Sequence, residues 1–113
     1  MKQTMLTAMM GLWATGAFAH SPLEATIPAN ESIIAEAPSE IAMDFKGHIR
    51  LTRVSMTHAD HPSVDLDLEG FDGFISDYAI PLQSMGSGVY LIEWRGLGVD
   101  GHALNGSFSF TVE

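Results

Sequence analysis

The chain has no cysteine. Small exported domains often rely on disulfides, so this one must be held by its core alone. The same absence removes thiolate from any metal site and excludes a Cys-rich structural zinc site or a soft-metal thiolate cage. Basic residues are also scarce, with five Lys and Arg against fourteen Asp and Glu, a net charge of −9. Such a surface repels nucleic acid and anionic lipid and tolerates cations. Long apolar runs are missing as well. A bilayer span needs roughly 20 apolar residues, and nothing after residue 20 approaches that. Nor does a long 3.6-residue periodicity follow residue 20, which argues against helices there.

The N-terminal stretch reads MKQTMLTAMMGLWATGAFA, with Lys2 as its only charge. A basic start, an apolar middle and the small-x-small triplet Ala17-Phe18-Ala19 form the layout of a secretory signal peptide. Thr4, Thr7, Thr15, Gly11 and Gly16 dilute the run too much for an anchor. Residues 1–19 are therefore expected to be a cleaved signal, with His20–Glu113 as the exported, non-spanning mature domain. Removing nineteen of 113 residues leaves 94, enough for one small domain with one core. Without Lys2, four basic residues face fourteen acidic ones, a net charge of −10. That charge favours a monomer.

The mature chain reads as all-β. EIAMDF alternates Ile41, Met43 and Phe45 against Ala42 and Asp44, and SVDLDLEG sets Val64, Leu66 and Leu68 against Asp65, Asp67 and Glu69. GSFSFTVE alternates Phe108, Phe110 and Val112 with Ser107, Ser109 and Thr111. This period of two marks half-buried strands. VYLIEW, Val89 to Trp94, is nearly continuous apolar, as a central strand is. IRLTRVSM changes face midway, which predicts a bulge or bend near Thr52 and Arg53. Short strands at regular spacing, separated by Gly, Pro and Asn turns, suggest a small sandwich or barrel.

Five histidines belong to the mature domain: His20, His48, His58, His61 and His102. A loop histidine rarely needs a ligand to explain it, but two of these stand out. If cleavage follows Ala19, His20 carries a free α-amino group beside its imidazole, and the two nitrogens close a chelate ring on one metal ion. Both groups titrate close to neutral pH, so a metal readily displaces their protons. The second feature is VDGHAL. In extended backbone, Asp100 and His102 point to the same side, where the carboxylate either binds a metal or orients the imidazole. The plainer reading is an Asp-Gly turn between two strands. Together His20, Asp100 and His102 offer three nitrogens and one oxygen, a set suited to tetragonal Cu(II). This requires the mature N-terminus to lie beside the loop before the last strand. Trp94 is expected in the core with its N–H on a partner, and Arg95 is a candidate partner for Asp100.

These residues resemble the CopC family of periplasmic copper-binding proteins. The likeness spans essentially all of His20–Glu113. It rests on HSPLEATIPANES at the mature start, APSEIAMDF, and GVYLIEWRGLGVDGHALNGSFSFTVE at the end. The resemblance implies a Greek-key β-sandwich, immunoglobulin-like or cupredoxin-like. It implies a Cu(II) site of His20, Asp100 and His102, copper handling in the periplasm, and a membrane partner of the CopD type in some members. Some members also carry a Cu(I) site in a Met-rich loop. The matching region SMTHADHPSV keeps Met56 and His61 but lacks the other thioethers, which argues against a high-affinity Cu(I) site. His58 and His61 flank Ala59-Asp60 and read as solvated loop residues. Where some members have a glutamate after the Phe of MDF, this chain reads FKGH, leaving His48 as the residue to approach the site.

The function expected is therefore sequestration or delivery of Cu(II), without catalysis. The alternative is a copper oxidase with a histidine brace, but Asp100 would fill the position such an enzyme leaves open.

Overall fold

The computed structural model describes residues 22–113. The expected signal peptide and His20 lie outside the described residues. Among the described residues there are seven strands and no helix: β1 (Leu23–Ile27), β2 (Ser32–Ile34), β3 (Glu40–His58), β4 (Val64–Asp65), β5 (Ile75–Pro81), β6 (Gly88–Gly98) and β7 (Ala103–Val112). They form the all-β, cupredoxin-like sandwich expected. The main path runs β1-β3-β6-β7-β2, with β4 and β5 also paired to β3. β2 returns to lie parallel to β7, far from its neighbours in sequence.

β3 belongs to both layers. Its 19 residues bury Ile41, Met43 and Phe45, then Ile49 and Leu51, then Val54 and Met56. The change of parity is the bulge foreseen near Thr52: Leu51 faces Gly96 and Arg53 faces Arg95, so Thr52 is an extra residue. A second break lies at Lys46–His48. Asp44 faces Asp77 and Ile49 faces Ile75, so five steps along β3 match two along β5. Before this bend β3 pairs with β1; after it β3 pairs with β6 and β4. Tyr78 of β5 fastens the bend. Its hydroxyl donates to the Ile49 carbonyl and accepts from the Leu51 N–H at 3.2 Å.

The two layers meet through aromatic rings. Phe45 lies edge-on to Trp94, with centroids 5.1 Å apart, and edge-on to Tyr78 at 5.9 Å. Within one layer, Tyr90 of β6 stacks on Phe110, its register partner on β7, at 5.0 Å. Each such buried side chain contributes about 1.5–3 kcal/mol, which is how the domain holds without a disulfide. Trp94 departs from expectation in one respect. Its Nε1 is buried with no hydrogen-bond partner. The ring lies against the Gly106 backbone, where an added Cβ would be 2.8–2.9 Å from indole atoms. Gly106 is therefore a position where no side chain fits.

Two strand readings are revised. β6 is central, between β3 and β7, but it buries only alternate residues: Tyr90, Ile92 and Trp94 are covered while Val89 is half exposed. SVDLDLEG yields only the two-residue β4. Leu66 and Leu68 still pack against the core. The strand stops because Asp67 Oδ1 takes the Glu69 N–H at 2.9 Å, and the Leu68 carbonyl takes the Phe71 N–H at 3.0 Å. Such local bonds compete with ladder pairing.

Candidate metal centre

Asp100 and His102 sit in the hairpin between β6 and β7, beyond the Leu97–Ala103 pair. The Gly101 N–H donates to the Gly98 carbonyl at 2.9 Å, and the Gly98 N–H donates to the His102 carbonyl at 2.9 Å. Gly101 has φ +87°. This is the three-residue hairpin loop closed by a left-handed residue. The plain Asp-Gly turn and the candidate ligand pair are thus the same object: the turn presents both side chains. Substituting Gly101 by alanine places a Cβ in the left-handed region, at a cost of about 1 kcal/mol. A fall in melting temperature of roughly 4–8 °C is expected for a domain this size, measured by circular dichroism on the metal-free protein.

The two side chains are already joined. His102 Nδ1 lies 2.9 Å from Asp100 Oδ2, and the His102 N–H donates to Asp100 Oδ1 at 3.1 Å. These two bonds, the backbone one first, hold the Asp100 carboxyl below the usual carboxylate range. It is therefore an anion at neutral pH. A carboxylate accepts, so Nδ1 of neutral His102 carries the proton and Nε2 is bare. Both side chains are solvent-exposed, as ligands for an incoming ion must be. The spacing also suits a metal. Two donors about 2.0 Å from one ion at a right angle stand roughly 2.8 Å apart. The observed 2.9 Å is close to that spacing, although an ion would stand off the line of the hydrogen bond and the imidazole would have to turn toward it.

The ladders show what else borders this turn. β5 pairs with β3 at both Asp44 and Ile49. A strand has only two edges, so β1 and β6 share the other one. β1 reaches Leu23 opposite Phe45, and the Lys46 N–H donates to the Pro22 carbonyl at 2.9 Å. β6 ends with Gly98 opposite Ile49. Between these contacts Gly47 and His48 pair with no described strand. At about 3.3 Å per residue the interval from Lys46 to Ile49 spans at most roughly 10 Å, and less because β3 bends there. Entering at Pro22, the chain thus comes from the side of the β6–β7 turn.

The remaining candidates fall elsewhere. His48 is exposed on β3, one residue from the Ile49–Gly98 pair. Among the described residues no three His, Asp or Glu side chains converge as a metal cluster, so His48 does not join Asp100 and His102. Met56 is buried in the core. His58 is not a solvated loop residue: it is buried, packs on Tyr90 with centroids 4.7 Å apart, and has Nε2 at 2.7 Å from the Ser87 carbonyl. Its parity with Val54 and Met56 was the signal for this. His61 stacks on it at 5.3 Å, with Nδ1 at 3.1 Å from the His58 carbonyl. Arg95 does not reach Asp100. It faces Arg53 on β3 and Asn105 on β7. Among the described residues the ion pair that Arg makes is Arg53–Asp65.

Comparison with known proteins bears on this geometry. The family model for the CopC domain matches residues 23–113. Copper resistance protein C of Escherichia coli is 29% identical over 116 residues, covering 93% of this chain and 90% of the relative. CopC from Methylosinus trichosporium OB3b has a crystal structure similar in fold, with TM-score 0.69 and 21% identity over 83% of this chain and 94% of that one. PcoC, a methionine rich copper resistance protein from Escherichia coli, is similar with TM-score 0.58 and 26% identity over 83% of this chain and 99% of that one.

Proposed function

Since the chain belongs to the CopC domain family, we propose that it binds Cu(II) after export and sequesters or delivers it in the periplasm. The relative named for copper resistance supports a copper role. The ligands proposed are the His20 amine and imidazole, the His102 imidazole and the Asp100 carboxylate. Cleavage after Ala19 creates the first of these.

One observation carries the reading. The entry of β1 and the Asp100–His102 turn lie on the same edge of β3, with only Gly47 and His48 between them. His20 stands two residues ahead of Pro22, a reach of about 7 Å of chain. The donor set is nitrogen-rich, lacks thiolate and suits tetragonal Cu(II). We read it as a carrier site, because Asp100 fills the position a copper oxidase keeps open for its oxidant. The partner class implied by the resemblance is a CopD-type inner-membrane copper transporter, and the strong negative charge favours a monomeric carrier.

Electron paramagnetic resonance of the Cu(II)-loaded chain beginning at His20 tests this. A tetragonal spectrum with about three coupled nitrogens is expected, and His102→Ala should lose one of them. An unchanged spectrum in His102→Ala would overturn the site.

A further inference from the structure

We propose that the outer face of β3, β6 and β7, beside the Asp100–His102 turn, is a docking surface for an acidic segment of the protein that exchanges copper with this one. The inference rests on the copper reading above, but its test reads docking in the metal-free chain.

Basic residues are scarce here, and they are not scattered. Four follow residue 20: Lys46, Arg50, Arg53 and Arg95. The three arginines share one face. Arg50 pairs with Leu97 and Arg53 with Arg95 across the β3–β6 ladder. Each is exposed, while Ile49, Leu51, Val54 and Trp94 beside them are buried. The Arg95–Asn105 pair stands two residues from Leu97–Ala103, where the turn begins, a distance of about 7 Å. Carboxylates occupy the next row away from the turn, where Ser55 pairs with Glu93 on one side and Asp65 on the other. A cationic band thus lies between the turn and those acids, in a domain where acids outnumber bases fourteen to four.

The band does not serve the fold. Like charges directly opposite in a ladder are destabilising. Arg53 meets Asp65 through Nε at 3.0 Å, an exposed pair of little worth. Arg95 has no ion pair and no side-chain hydrogen bond among the described residues, although Glu93 is two positions away on the same face. Both guanidinium groups border an open groove of about 450 Å³, lined also by Ser55, Ser63, Glu93 and Asn105. A free guanidinium matches a carboxylate through two parallel hydrogen bonds, and the Asn105 amide and the serine hydroxyls add donors. A peptide carboxylate enters such a groove, whereas a flat anionic bilayer also meets the acids around it. The acidic remainder of the domain repels the same partner, so docking is oriented with the turn at its edge.

The experiment uses the metal-free chain beginning at His20, as wild type, Arg53→Gln/Arg95→Gln, and Lys46→Gln as a control cation outside the band. A hexaglutamate peptide is titrated at low ionic strength and followed by amide NMR. Shifts are expected at residues 50–55, 93–97 and 103–107, with affinity at least tenfold lower in the double variant, unchanged in Lys46→Gln, and lost near 1 M salt, where the screening length is about 3 Å. Absent shifts, or shifts centred elsewhere, overturn the proposal. Arg95→Gln alone should melt no lower than wild type, since it relieves repulsion; a fall of several degrees would make Arg95 a residue of the fold and overturn it too. Pelleting with phosphatidylglycerol vesicles that the double variant loses would assign the face to a membrane instead. Peptide docking in a chain whose Cu(II) spectrum fails the test above upholds the acidic partner and removes only copper as what is exchanged.

Discussion

A chain beginning Ala-His20, one residue longer than the proposed mature form, is expected to bind Cu(II) about a hundredfold more weakly or worse, near 2.7 kcal/mol. The added residue turns the His20 amine into a peptide nitrogen, which no longer offers its lone pair, and moves the new amine one residue away. Two donors on one residue become one, and the chelate ring is lost. The extension lies ahead of β1, so the metal-free melting temperature should not change, and the loss can be assigned to the site. Competition titration against a chelator of known affinity measures it. Equal affinity in the two chains would exclude the terminal amine as a ligand. The uncleaved chain is expected to behave like the extended one.

The largest effect on stability is expected at Trp94. Trp94→Ala should cost about 3–5 kcal/mol, much of the 5–15 kcal/mol typical of a whole domain. The ring joins the layers through Phe45, and its loss opens a cavity lined by that ring and by Gly106. Trp94→Phe separates packing from polarity. It keeps most of the ring and removes an N–H that is buried without a partner, a group that itself costs about 1–3 kcal/mol to bury. Its expected cost is less than half that of the alanine variant. Urea unfolding of both metal-free variants measures the difference. Equal losses would mean that the indole N–H has a partner after all.

Much of the fold was legible because a half-buried strand writes its own period. Ile41, Met43 and Phe45, and later Phe108, Phe110 and Val112, are buried as their alternation requires. Even the Thr52 bulge was visible, since a bulge must swap the inward parity. What misled were residues whose local bonds outweighed their pattern. Val64, Leu66 and Leu68 alternate well, yet the Asp67 side chain captures the backbone that would have extended β4. His58 was misjudged because its type suggests solvent while its position in β3 dictates burial. The candidate metal site divides in the same way. Asp100 and His102 stand two apart in sequence, so spacing alone suggested their meeting. That Arg95 stands by Arg53 rather than Asp100 follows from strand register, which depends on residues forty positions away.

The short unpaired interval of β3 at Gly47 and His48 bears on how the protein behaves in a crowd. Open strand edges invite foreign strands, and hence aggregation. Here the opening is two residues long and closed at each end, by β1 on one side and β6 on the other. A strand from another molecule would collide with both neighbours before making a useful number of bonds. Lys46 at its margin adds charge where a sticky sheet would be neutral. An opening this narrow admits no long segment, so the domain leaves this edge free without exposing a nucleus for fibres.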